Sequence, residues 1–193
     1  MGECVALEID EGKSQRTKCA PHFTLFSTEI AMKTPEAQSE ITKAASYRLI
    51  LILDPSGKLK NGLLESWIQG NDFPTAWLRL SANANDPHRF LADIQNCLNS
   101  IGFPTDAEAN SPSTSLEDGI IRLLNAALDR SDDTYLVLDD YHWIHNPAIH
   151  QAIAWMLEYL PDQVHLVLTS QMAPPLPLAR LRLRHQLLEI HLG

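Results

Sequence analysis

Residues 48–61 read Arg48-Leu49-Ile50-Leu51-Ile52-Leu53-Asp54-Pro55-Ser56-Gly57-Lys58-Leu59-Lys60-Asn61. The first part is a nearly unbroken apolar run, which suits a strand buried on both faces of a parallel sheet. Asp54-Pro55-Ser56-Gly57 is a turn signal that ends it. Asn61 to Gln69 follows, with Leu63, Leu64, Trp67 and Ile68 at helical spacing. A buried strand, a short loop carrying a glycine, and a helix form the opening unit of an α/β domain.

The rest of the chain continues that alternation. Thr75 to Leu80 (TAWLRL) predicts a second strand. Asp86 then caps a helix from about His88 to Leu98, with Pro87 at its first position and Phe90, Leu91, Ile94 and Leu98 as its apolar face. Residues 99–114 are loop-like. Ser115 to Leu128 predicts a helix in which Ser115 and Asp118 form a capping pair. Thr134 to Asp139 (TYLVLD) is a third strand, Pro147 to Leu160 a helix, and Val164 to Thr169 (VHLVLT) a fourth strand. Pro174 to Pro177 reads as a rigid loop. Arg180, Arg182 and Arg184 have period two and could form one exposed basic stripe, with a solvated face the better reading, and Leu187 to His191 predicts a short fifth strand. Strands alternating with helices imply βαβ units and a parallel sheet with right-handed connections. Residues 1–45 are weakly patterned and read as an N-terminal arm, with one helix over Glu36 to Ala45; the organised domain spans 46–193.

Composition narrows the function classes. The 193 residues carry a formal net charge of −9, with Lys and Arg scattered. That balance opposes direct contact with a nucleic-acid backbone, and no helix-turn-helix pattern is legible. No apolar run reaches the ~20 residues a membrane helix needs, and the N-terminus lacks a secretory pattern, so a cytoplasmic protein with no membrane partner is expected. Cys4, Cys19 and Cys97 form no CxxC pair and read as free thiols. His142, His145 and His150 resemble a metal cluster, but no accompanying acidic or cysteine spacing completes a ligand set.

Two segments carry chemistry. Leu136-Val137-Leu138-Asp139-Asp140 delivers two carboxylates at the carboxyl end of an apolar strand, the edge of a parallel sheet where ligands bind. An acid there can hold Mg²⁺, and a second can orient a water; a solvated turn is the plainer alternative. Upstream, the loop after the first strand stands where a phosphate loop of the form GxxxxGK[ST] would stand. In such a loop backbone N–H groups wrap the phosphates, the lysine reaches the outer phosphates and the hydroxyl binds Mg²⁺. Lys60 is in place, but Asp54 replaces the first glycine, Leu59 the second and Asn61 the hydroxyl residue. As a bare motif the match fails.

A wider resemblance bears on the choice. From Arg48 onward the chain resembles the nucleotide-binding domain of large ATP-dependent regulators of the MalT/LuxR type, members of the STAND class. Their loop, APAGxGKTTLLxxW, aligns without a gap through Pro55, Gly57, Lys60, Leu63, Leu64 and Trp67. AWLxLxxxxNDPxRFL is matched by Ala76 to Leu80 and Asn85 to Leu91. LVLDDYHxI is matched by Leu136 to His142 and Ile144. HLVLxSRxxPPLPLARLR is matched by His165 to Gln171 and Pro174 to Arg182.

The resemblance implies a three-layer α/β/α P-loop NTPase-like domain with strand order 5-1-4-3-2. It implies ATP or ADP with Mg²⁺ as cofactor. Gly57, Lys60, Asn61 and Gln171 would line the phosphate site, Asp139 would be the Mg²⁺-linked acid, and Asp140 would be the catalytic, water-orienting acid if the site is active. The departures weigh against that. Gln171 stands where the family has an arginine, Asp54 adds negative charge beside the phosphates, and Leu59 brings a Cβ where the loop calls for glycine. The expected function is therefore a degenerate NTPase domain that acts through protein contacts in transcriptional regulation. Hydrolysis is expected to be weak or absent, and cofactor none or bound at low affinity. The expected partner is a full-length relative or a second copy. The alternative is a working ATP/ADP switch with an atypical loop. Two adjacent carboxylates without a metal repel, so changing Asp139 and Asp140 together to Asn is expected to leave stability unchanged or raised. The winged-helix module, helical-repeat sensor and DNA-binding helix-turn-helix of such regulators have no counterpart here. The sequence reads as a truncated product, an excised piece or a stand-alone remnant.

Overall fold

The computed structural model describes residues 35–103, 115–128 and 130–193. Most of the expected arm, Cys4, Cys19 and most of the expected loop at 99–114 lie outside the described residues.

Five strands form one sheet: β1 (Leu49–Leu53), β2 (Thr75–Arg79), β3 (Thr134–Asp139), β4 (Val164–Ser170) and β5 (Leu187–His191). All pairings are parallel, and the order is β2-β3-β4-β1-β5. This is the expected 5-1-4-3-2 order, counted from the other edge. The central strands β3 and β4 are buried at every position, which is why their sequences read as continuous apolar runs.

Alternate residues of each strand feed opposite faces. Leu49, Leu51, Leu136, Leu138, Leu166 and Leu168 pack with helices α3 (Pro87–Asn99), α4 (Leu116–Leu128) and α5 (Pro147–Tyr159). On the other face Ile50, Ile52, Val137 and Val167 pack with α1 (Pro35–Ile41) and α2 (Lys60–Gln69). Trp67 lies edge-on to Tyr135, ring centroids 5.0 Å apart, as a core side chain. The expected boundary near residue 46 falls beyond α1, whose Ala37 and Ile41 are part of this second core.

The local capping signals act as the sequence predicts. Asp86 accepts a hydrogen bond from the Arg89 N–H at 2.8 Å at the start of α3. Ser115 accepts from the Asp118 N–H at 3.0 Å before α4, and its hydroxyl donates to the Asp118 carboxylate. A cap the sequence reading did not name stands before α5, where Asn146 accepts from the Ala148 N–H.

Leu178–Leu183 is a helix, α6, which the sequence reading did not include; Arg180, Arg182 and Arg184 are half-exposed, as a solvated face requires, but do not form one stripe of period two. On a helix, residues four apart share a face and residues two apart do not. Accordingly Arg180 and Arg184 both reach Glu158, while Arg182 turns to Glu189.

Candidate functional site

The carboxyl ends of β1, β3 and β4 converge on one cluster. Lys60, the first residue of α2, is buried. Its ammonium donates to Asp139 and, at 2.6 Å, to Asp140, with the Thr169 hydroxyl at 3.4 Å. Thr169, near the end of β4, donates to Asp139 at 2.6 Å and accepts from the Asp140 N–H at 2.9 Å. Arg79, the last residue of β2, donates to the other Asp139 oxygen at 3.0 Å. Burial pushes the Asp139 carboxyl up, but Lys60, Thr169 and Arg79 more than offset it and hold it below its ordinary value. Asp140 adopts left-handed backbone, φ 64°, which brings its carboxylate back toward Lys60.

The loop between β1 and α2 closes around Asp54. Its carboxylate is fully buried. One oxygen accepts from the N–H groups of Ser56 (3.1 Å) and Gly57 (3.0 Å) and from the Ser56 hydroxyl (2.6 Å). The other accepts from the N–H groups of Leu59 (2.7 Å) and Lys60 (3.0 Å). Burial raises the Asp54 carboxyl, but the Ser56 hydroxyl and the amides of Lys60, Leu59 and Gly57 bring it below its ordinary value. Gly57 has φ +68°, the conformation that reverses the loop. Leu59 does not need glycine's freedom: its φ is −90° and ψ −30°, ordinary right-handed backbone.

Gln171 approaches the same loop, its side-chain amide lying over Gly57 where a Cβ would come within 3.2 Å. Asn61 has a buried Oδ1 with no hydrogen-bond partner among the described residues. The structure therefore gathers Gly57, Lys60, Asn61, Asp139, Asp140 and Gln171 at one end of the sheet. The sequence reading missed Arg79 and Thr169, which local pattern does not single out. It also missed Asn85, whose Oδ1 accepts from the N–H groups of His145 and Asn146 and whose Nδ2 donates to the Trp143 carbonyl. That clamp fixes the segment following the paired acids; two of the sequence blocks that carry the resemblance meet there.

The histidines serve other ends. His150 Nδ1 pairs with the Tyr141 hydroxyl at 3.0 Å, and burial with the neighbouring His145 lowers its pKa against an opposing backbone contact. Among the described residues no group of three or more His, Cys, Asp or Glu side chains is placed to hold a metal ion. An open cleft of about 830 Å³, lined by Tyr141, His142, His150, Pro174 and Arg180 among others, lies beside the cluster and does not include Gly57 or Lys60. Among the described residues no helix is long and apolar enough to cross a membrane.

No family model matches the chain. Curated relatives do. The HTH-type transcriptional regulator MalT of Cronobacter sakazakii is 37% identical over 161 residues, 79% of this chain and 17% of that protein. MalT of Klebsiella pneumoniae subsp. pneumoniae is 35% identical over 158 residues, again 79% and 17%. MalT of Vibrio cholerae is 31% identical over 166 residues, 83% and 18%. The chain thus spans less than a fifth of the length of these relatives. Among solved structures, a Walker-type ATPase of Pyrococcus abyssi covers 72% of this chain and is itself covered to 45%, with a TM-score of 0.53 and 11% identity, a likeness of fold. By sequence and by fold, this chain is a P-loop NTPase-type domain related to the MalT transcriptional regulators.

Proposed function

We propose that this domain is a degenerate NTPase module that serves transcriptional regulation through protein contacts, with weak or no ATP hydrolysis. The group its fold class implies is ATP with Mg²⁺, and the residues as arranged do not fit it. The loop amides that would wrap a phosphate already bind the Asp54 carboxylate. The lysine that would reach the outer phosphates is held between Asp139 and Asp140. Phosphate entry would have to displace one carboxylate and strip the lysine from two more, while adding negative charge beside all three. The occupied amides of the loop are the observation that carries this reading. The partner is a protein in the cytoplasm, a full-length relative or a second copy of the chain. DNA contact belongs to another chain or domain, since this domain's net charge of −9 opposes a phosphate backbone.

One observation favours the second reading, a live ATP/ADP switch with an atypical loop. Asn61 holds the sequence position of a phosphate loop's Mg²⁺-binding hydroxyl, and among the described residues its buried Oδ1 has no hydrogen-bond partner. Titration calorimetry with Mg²⁺-ATP separates the two. No binding heat at millimolar nucleotide is expected; a dissociation constant in the low micromolar range would establish the switch instead.

A further inference from the structure

We propose that the Asp54 carboxylate is an internal ligand of the phosphate loop, seated in the amide nest where such a loop otherwise receives an anion. The proposal rests on reading the domain as one that works without nucleotide, and it names the group that stands in for the ligand.

The geometry goes beyond an ordinary turn. An aspartate in a local turn accepts from amides two or three positions ahead. Asp54 does this with one oxygen, to Ser56 and Gly57, but its other oxygen accepts from Leu59 and Lys60, five and six positions ahead. Reaching them requires the loop to turn back over the carboxylate, and Gly57 with φ +68° makes that reversal. Successive backbone N–H groups converging around a left-handed residue form an anion-binding concavity. The two farther donors open α2, a helix of ten residues, so its dipole adds to the attraction.

Charge accounting points the same way. Asp54 is fully buried, yet among the described residues its hydrogen-bond partners are backbone amides and the Ser56 hydroxyl. The cations in the cluster are engaged elsewhere: Lys60 with Asp139 and Asp140, and Arg79 with Asp139. A buried carboxylate without a paired cation is costly unless hydrogen bonds replace its hydration. Here the loop does so, as it would for a phosphate oxygen. The consequence is a loop held in a ligand-filled shape whatever the nucleotide concentration.

The test compares the full chain with its Asp54→Ala variant by thermal unfolding. Each is measured in buffer, in millimolar inorganic pyrophosphate, and in chloride of matched ionic strength. The parent should show no gain from pyrophosphate over chloride. Asp54→Ala should melt lower, and pyrophosphate should raise its melting temperature by about 3 °C more than chloride does, because an external anion then fills the nest. A variant as stable as the parent overturns the proposal, as does a destabilised variant that gains no more from pyrophosphate than from chloride. Either result also withdraws the occupied amides from the reading of a nucleotide-free domain, which the calorimetric titration with Mg²⁺-ATP then tests separately. A parent that itself gains from pyrophosphate overturns both. Should Asp54→Ala not fold, amide resonances of the parent decide. Those of Leu59 and Lys60 should move together as pH falls through the titration of Asp54; if either stays flat, the carboxylate is not held there.

Discussion

Lys60 and Asp139 stand 79 positions apart in sequence and form a buried ion pair, their side chains 4% and 0% exposed. The pair ties the start of α2 to the end of β3 across the intervening ends of β1 and β4. Removing the ammonium leaves a buried carboxylate whose side-chain partners among the described residues are Arg79 and Thr169. Breaking such a pair typically costs about 3–5 kcal/mol. Lys60→Met, which keeps the volume of the stem, is expected at the lower end, about 3 kcal/mol, because Arg79 remains. Urea unfolding measures it; a loss below about 1 kcal/mol would mean that the pair is solvated in solution.

The paired acids behave differently from what adjacency alone suggests. Asp139 and Asp140 are neighbours, but Lys60 sits between their carboxylates and Arg79 flanks them. Their repulsion is already neutralised. The double change Asp139→Asn/Asp140→Asn is therefore expected to lower the melting temperature, contrary to the sequence-based expectation, since it leaves a buried lysine without a counter-charge. Asp140→Asn alone should be mild, because that side chain is 21% exposed and Asp139 stays in place. Calorimetric scans of both variants check this; a double variant that melts above the parent would restore the repulsion argument.

Acid should unfold this domain through Asp54 and Asp139. Both have folded pKa values below the 3.8 of the free side chain. The unfolded chain then binds protons more readily, so stability falls as pH falls. The contribution is fully present above the unfolded value and is lost as pH drops through the folded ones. His150, lowered from 6.5, adds an earlier and smaller loss that begins near that value. Urea midpoints followed from neutral to acid pH should decline first gently and then steeply below about pH 5. A flat profile into the carboxylate range contradicts the hydrogen-bonded carboxylates described here.

Gly119 offers a test in which two principles oppose each other. It lies within α4, where replacing Gly by Ala ordinarily gains about 1 kcal/mol. A Cβ at this position, however, would come within 2.1 Å of Leu91 Cδ2 and 2.9 Å of its Cγ, on α3. Leu91 is itself buried in the core. Overpacking at such a contact costs about 1–3 kcal/mol, so Gly119→Ala should destabilise. Chemical denaturation reads the sign directly; a stabilised variant would show that α3 and α4 separate readily.

The sequence was most legible where structure is local. The strand runs, the Asp86 cap and the Ser115–Asp118 pair each depend on residues within a few positions of one another. Helix α6 was missed because its six residues are too few to show a period. Asp54 was legible as a departure from the phosphate-loop pattern, but its effect was not. It reads as a charge facing a ligand, whereas the loop folds back and binds it.

By itself, then, the sequence determined the α/β alternation, the parallel sheet, the kinship to MalT regulators and, of the residues that meet at the sheet's end, Gly57, Lys60, Asn61, Asp139, Asp140 and Gln171, though not Arg79 or Thr169. Periodicity and caps act within one element, so they are written in contiguous residues. Only the tertiary structure decided which charges neutralise which. Lys60 turns to Asp139 and Asp140, Arg79 joins from β2, Thr169 from β4, and Asp54 is left to the amides of its own loop. Those choices follow from distance and burial among side chains on separate strands. Electrostatic energy depends on separation in space, and chain position alone does not specify it.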